Sequence, residues 1–189
     1  MELPESIEAR FRSFGNNLLT DTDKIRSYVS LMMTVMGRGL ISISRFDPTV
    51  KKETAGFPVG FRFEMVTLPD GPSVRLRLDL NREFEADESS AKPDLSIQFK
   101  HLRHAFTVLS FQEGTVRAFA NNRMVVDGDL AFAMRMVRIL NRLQSIILPE
   151  AIARRAVKRY QPIPLGEKAT GAMRIYGDVA AMALKGDNP

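Results

Sequence analysis

Four groups of residues in this chain have types and spacings that could do chemistry. His101 and His104 stand three apart, a spacing that puts two imidazoles on one face of a helix where they could share a metal ion. No glutamate lies between them and no third ligand accompanies them, so no metal site is expected. Asp127 and Asp129 flank Gly128 and resemble an acid and base pair, but two carboxylates at a strand-to-helix turn are more simply a turn residue and an N-cap. Gly37-Arg38-Gly39 has the glycines of a phosphate loop without the rest of its signature and without a strand before it. The fourth group is basic: Arg135, Arg138 and Arg142 at helical spacing, then Arg154, Arg155, Lys158 and Arg159. None of these supplies a nucleophile or a cofactor site, and the chain has no cysteine. The expectation is a protein without catalytic residues and without a cofactor.

Positioning these residues requires helices at both ends of the chain and strands between them. From about Asp23 to Ile43 the apolar residues Ile25, Tyr28, Val29, Met32, Met33, Met36 and Leu40 recur at helical spacing. Asp21, Thr22 or Asp23 can cap this helix, and Gly37 and Gly39 predict a kink or an early end. A shorter helix is expected over Glu5 to Phe14. Between Phe57 and Val66 the period changes to two, as it does over Val74 to Leu80 after the Pro69-Asp70-Gly71-Pro72 turn. Phe84 with Ala86, Leu95 to Phe99, and Met124 to Val126 read as three further strands. One apolar and one charged face along these segments predicts a mainly antiparallel sheet covered on one side. Helices follow over Leu102 to Leu109, around Val116 and Phe119, from Asp129 to about Leu148, over Glu150 to Tyr160, and from about Thr170 to Leu184. On the long helix that starts at Asp129, Leu130, Ala133, Met134, Val137, Leu140, Leu143 and Ile147 are expected to face inward, with the arginines opposite.

The 189 residues, 44% of them hydrophobic, suffice for one core and not for two domains of typical size. The net charge of +5 is unevenly spread. Between Lys100 and Tyr160 eleven basic residues face four acidic ones, so the remainder is net acidic. An anionic partner is implied for the basic half. A membrane surface suits it better than nucleic acid, because Tyr160 alone offers an aromatic near the cluster for base stacking. The plain alternative is a solvated helix face. The acidic start Met1-Glu2-Leu3-Pro4-Glu5 does not read as a secretory signal, and no apolar run is long enough to span a bilayer, so a cytoplasmic, at most peripheral, location is expected.

The run Lys92 to Pro149 resembles the sterol carrier protein 2 family. The resemblance is carried by Pro93-Asp94-Leu95-Ser96-Ile97-Gln98-Phe99, the helices Leu102 to Leu109 and Thr115 to Phe119, the brief strand Met124 to Val126, Gly128, and the helix Leu130 to Leu143. With the upstream hairpin it extends back to about Phe57. It implies an α+β fold, a five-stranded sheet with helices on one face, and an apolar tunnel holding fatty acyl chains, sterols or isoprenoids. On this reading residues 1–50 form a helical extension packed on the domain, 51–149 the lipid-binding domain, and 150–189 a second helical extension that gates or lengthens the tunnel. The family brings no catalytic residues, and some bacterial relatives assist isoprenoid quinone synthesis.

An empty apolar pocket of middling size costs on the order of 10 kcal/mol, so a tunnel must be filled by ligand or be able to repack. Ten methionines make an adaptable lining. The expected lipid-binding residues are Phe61, Phe63, Leu76, Leu78, Ile97, Phe106, Phe119, Met124, Met134, Val137 and Leu140, each inward by period. An ordinary packed core is the alternative for the same side chains. The expected function is non-catalytic binding and transfer or presentation of a hydrophobic lipid. The second reading is an accessory protein docking on a lipid- or quinone-processing enzyme, with self-association left open.

Overall fold

The structure, a computed structural model, describes residues 21–148 and 165–185. The helix expected over Glu5 to Phe14 and the basic helix over Glu150 to Tyr160 lie outside these residues. Helix α1 runs Thr22–Phe46, capped by the Asp21 carboxylate, which accepts from the Asp23 and Lys24 amides. It continues without a break through Gly37 and Gly39, against expectation. The reason is packing: a Cβ on Gly39 would lie 3.1 Å from Leu143 Cδ1, so the glycine lets another helix approach at close range. Asp47 ends α1 and caps α2, Pro48–Thr54, with Pro48 at the first helical turn where its missing N–H costs nothing.

The sheet follows, with β1 Arg62–Thr67, β2 Ser73–Leu78, β3 Phe84–Ala86, β4 Leu95–Phe99 and, later, β5 Met124–Gly128, in the order β3-β2-β1-β4-β5. The α+β class and the five strands are as expected. Three of the pairings are antiparallel, and the central β1–β4 pairing, Phe63 opposite Leu95, is parallel. The strand pattern begins later than expected, because Phe57 and Phe61 belong to the turn before β1 and stack on each other at 4.2 Å rather than alternating along a strand. Leu80 falls past the end of β2 and is exposed. Asp94 ties the parallel pair together by accepting from the Arg62 amide at 2.8 Å. At the end of β5, Gly128 has φ +134°, and a Cβ there would meet the Asp94 carbonyl oxygen at 2.5 Å.

One face of the sheet is apolar and buried: Phe63, Met65, Val74, Leu76, Leu78, Phe84, Leu95, Ile97, Phe99 and Met124. The other bears Arg62, Glu64 and Arg75, with Glu64 accepting from the buried Ser96 hydroxyl at 3.0 Å and pairing with Arg75 at 3.4 Å. Helices α3 Leu102–Leu109, α4 Thr115–Ala120 and α5 Leu130–Ile147 complete the order before α6, Leu165–Lys185. Helix α1 packs on β2, β3, α3 and α6, and α5 packs on α2 and α6. Among the described residues the buried apolar side chains form one cluster, from Ile25 on α1 to Ile175 on α6. No helix among the described residues is long and apolar enough to cross a membrane.

Candidate functional site

The structure divides the expected lipid-binding residues into two sets. Phe61, Phe63, Leu76, Leu78, Ile97, Phe106 and Met124 are buried together between the sheet and its helices. Phe57, Phe61 and Phe132 form an aromatic knot at one end of this wall, and Tyr28 meets Phe106 edge-on at 5.2 Å. The methionines Met33, Met36, Met65, Met124 and Met136 belong to the same buried cluster. Leu140 packs against it from a partly buried position, and Val137 is half-buried.

Phe119 and Met134 are not part of the wall. They are 58% and 51% exposed, which corrects the inward orientation given by their period. On α4 it is Ala118 that is buried. On α5 the buried apolar residues are Ala133, Met136, Ile139, Leu143, Ile146 and Ile147, a stripe turned away from Leu130 and Met134. With Val116 and Leu130, the two displaced residues are exposed apolar side chains on α4 and α5, the helices that precede and follow β5, which is an edge strand among the described residues; the exposed Val125 lies on the charged face of the sheet, opposite Gln98.

The arginine stripe has carboxylate partners. Arg138 donates to both Glu53 oxygens, at 2.7 and 2.9 Å, and Arg135 pairs with the same carboxylate at 3.2 Å. Arg142 holds Asp47 at 2.9 Å. Arg135, Arg138 and Arg142, expected to face solvent or a membrane, join α5 to α2 and its cap, with Arg138 still exposed and Arg135 partly so. The hydrogen bond from Arg138 pulls the Glu53 carboxyl below its ordinary range; burial opposes this, and the charges of Arg138 and Arg135 reinforce it. The cluster Arg154, Arg155, Lys158 and Arg159 lies outside the described residues.

Of the other chemical candidates, Asp129 caps α5 by accepting from the Ala131 amide at 2.6 Å, as its place before the helix predicts. The Nδ1 atom of His101 accepts from the Arg103 amide at 3.2 Å and so caps α3. His104 lies 5.9 Å away, ring to ring; burial, and then the charge of Arg123, lowers its pKa. The aspartate and histidine caps are structural devices.

A cleft of about 330 Å³ opens where α6 crosses the α1–α2 corner and α5, lined by Phe46, Asp47, Pro48, Ile146, Gly166, Thr170, Gly171 and Arg174. Sequence periodicity could not find it, because its walls come from four separate elements.

No family model matches this chain, and none of the curated proteins does. Solved structures do. The chain is similar to one titled "UbiJ-SCP2 Ubiquinone synthesis protein", with 13% identity and a TM-score of 0.42 over 61% of this chain and 94% of that one. It is similar to sterol carrier protein 2 from Yarrowia lipolytica, apo form, with 18% identity and a TM-score of 0.39 over 60% and 90%. A third, from Thermus thermophilus and titled as a conserved hypothetical protein and sterol carrier candidate, has 17% identity and a TM-score of 0.40 over 67% and 87%.

Proposed function

We propose that this chain binds a hydrophobic lipid, of the fatty acyl, sterol-like or isoprenoid class, without altering it covalently, and carries it or presents it at a membrane or to another protein. The observation that carries the reading is the buried apolar wall of Phe63, Leu76, Ile97, Phe106 and Met124, together with the exposed Val116, Phe119, Leu130 and Met134 on the two helices either side of β5 in the chain. Large apolar side chains gathered on consecutive surface elements mark a binding or docking surface more often than chance exposure does. A lipid entering between the sheet and its helices from these exposed side chains would meet the wall residues, Met124 of β5 among them. The wall is closed in the described fold, so entry requires repacking, and the methionines of the buried cluster give the side-chain freedom for it. The resemblance of Lys92 to Pro149 to sterol carrier proteins points to the same class of ligand.

The accessory reading, docking on a lipid- or quinone-processing enzyme, has its own support in α6, whose outward Met173 and Leu184 are exposed while Ile175 docks on the body. The two readings separate on one experiment. Native mass spectrometry of freshly purified protein, followed by organic extraction, should find a stoichiometric lipid. Phe119→Ser and Met134→Ser together should cut uptake from a mixed lipid pool several-fold, with the melting temperature unchanged because both side chains are exposed. A protein that takes up no lipid from that pool overturns the lipid reading and leaves the accessory one.

A further inference from the structure

The cleft under α6 has the composition of a site in its own right. Its walls are Phe46 and Pro48 on one side and Ile146 on the other, and its roof is the first turns of α6 at Gly166, Thr170, Gly171 and Arg174. At about 330 Å³ it lies at the lower end of the roughly 300 to 1,000 Å³ of small-molecule sites. It is wedge-shaped. At Gly171 the helices nearly touch, since a Cβ there would lie 3.1 Å from Ile146 Cγ2, whereas a Cβ on Gly166 would meet no heavy atom within 4 Å.

The wedge is held at its narrow end. Beyond Gly171, α6 is fastened to the body by Ile175, which is buried, by the Tyr176 hydroxyl donating to the Ile147 carbonyl at 2.8 Å, and by Asp178 accepting from the buried Ser42 hydroxyl at 2.5 Å. All three fastenings lie on the Gly171 side, and the Gly166 side is the open one.

The charge of the cleft is positive. Asp47 lines it, but one carboxylate oxygen accepts from the Thr49 and Val50 amides and the other is paired with Arg142. Arg174 rests over the Phe46 ring, 5.0 Å from its centroid, and no carboxylate of the described residues lies within ion-pair distance of it. Arg135, Arg138 and Arg142 nearby all have carboxylate partners. A guanidinium with unspent donors at the mouth of an apolar wedge is suited to an anionic head with an apolar tail.

We propose that this cleft is a second ligand site, separate from the sheet–helix wall, for an amphipathic anion: an apolar body laid on Phe46, Pro48 and Ile146, with a carboxylate or phosphate head on Arg174. The proposal does not rest on lipid binding at the wall.

The test titrates the full-length protein with dodecyl phosphate, with dodecanol and with inorganic phosphate, reading calorimetry and backbone amide shifts. Dodecyl phosphate should bind at least about ten-fold more tightly than dodecanol or inorganic phosphate, the size expected of a charge-assisted hydrogen bond added to an apolar contact. Its shifts should fall on Gly166, Thr170 and Gly171. Arg174→Gln should bring dodecyl phosphate down to the affinity of dodecanol. Gly166→Phe, placed in a helical turn with open space around it, should remove the Gly171 shift while circular dichroism stays unchanged. Shifts confined to β1, β4 and α3 and indifferent to Arg174→Gln would overturn the proposal and leave wall binding standing. Shifts confined to α6 and its neighbours would do the reverse. Equal binding of inorganic phosphate would also overturn it, as an ionic contact without an apolar site.

Discussion

Glu53 shows how a single side chain can tie one helix to another. The arginines at 135, 138 and 142 were legible in sequence as a stripe, because their spacing of three and four is local information. Their partners were not, since Glu53 and Asp47 stand 82 to 95 residues upstream and no period connects them. The pairing has a measurable signature. The folded-state pKa of Glu53 lies below its ordinary value of 4.5, so its carboxylate contributes stability that is fully present above that value and is lost as pH falls through the folded pKa. Glu53→Gln should therefore cost about 1 kcal/mol at neutral pH, measured by urea unfolding, and the gap to the parent protein should shrink as the pH is lowered below 4.5. A gap that stays constant down to the acid limit would mean that the ion pairs add nothing.

At the scale of elements, α5 is the instructive case. Apolar residues surround it almost completely: Leu130, Phe132, Met134, Met136, Val137, Ile139, Leu140, Leu143, Ile146 and Ile147. Two overlapping inward stripes are therefore compatible with its sequence, and periodicity cannot choose between them. In the structure Met136, Ile139 and Leu143 face the core and Leu130 and Met134 face solvent, an orientation in which Arg138 and Arg142 also reach their carboxylates on α2 and its cap. Met136→Ala should cost about 2 to 5 kcal/mol in thermal or denaturant unfolding, whereas Met134→Arg should stay within about 0.5 kcal/mol of the parent. Equal costs for the two would restore the rejected orientation. The α1 glycines make the complementary point. Propensity predicts a break at Gly37 and Gly39, yet the helix runs through, because what matters at Gly39 is the approach of Leu143 and not backbone freedom. Gly39→Leu should force the two helices apart at a cost of about 1 to 3 kcal/mol, the range of overpacked cores, read in the same unfolding measurement. The strands were the easiest elements to read, since one buried face imposes a strict alternation. What alternation could not supply was strand direction, and so the parallel β1–β4 pair in the middle of the sheet appears only in the structure.

For the molecule as a whole, the question is whether α6 belongs to the same cooperative unit as the sheet. Its apolar contact is modest, with Ile175 buried and Ala172 and Val179 partly so, and its polar fastening includes the Ser42–Asp178 and Tyr176–Ile147 hydrogen bonds, of which the first reaches α1. Ser42 is fully buried on α1, so removing its acceptor leaves a hydroxyl without the partner seen here, a loss of about 1 to 3 kcal/mol. That loss falls on the α1–α6 contact and not on the strand ladder, which is closed by β1 to β5 without any contribution from α6. Asp178→Ala should accordingly speed hydrogen exchange of the α6 amides by roughly five-fold to a hundred-fold, with β1 and β4 amides unchanged. If the sheet amides accelerate by the same factor, α6 unfolds only with the whole domain, and neither the cleft nor the wall can open by its movement alone.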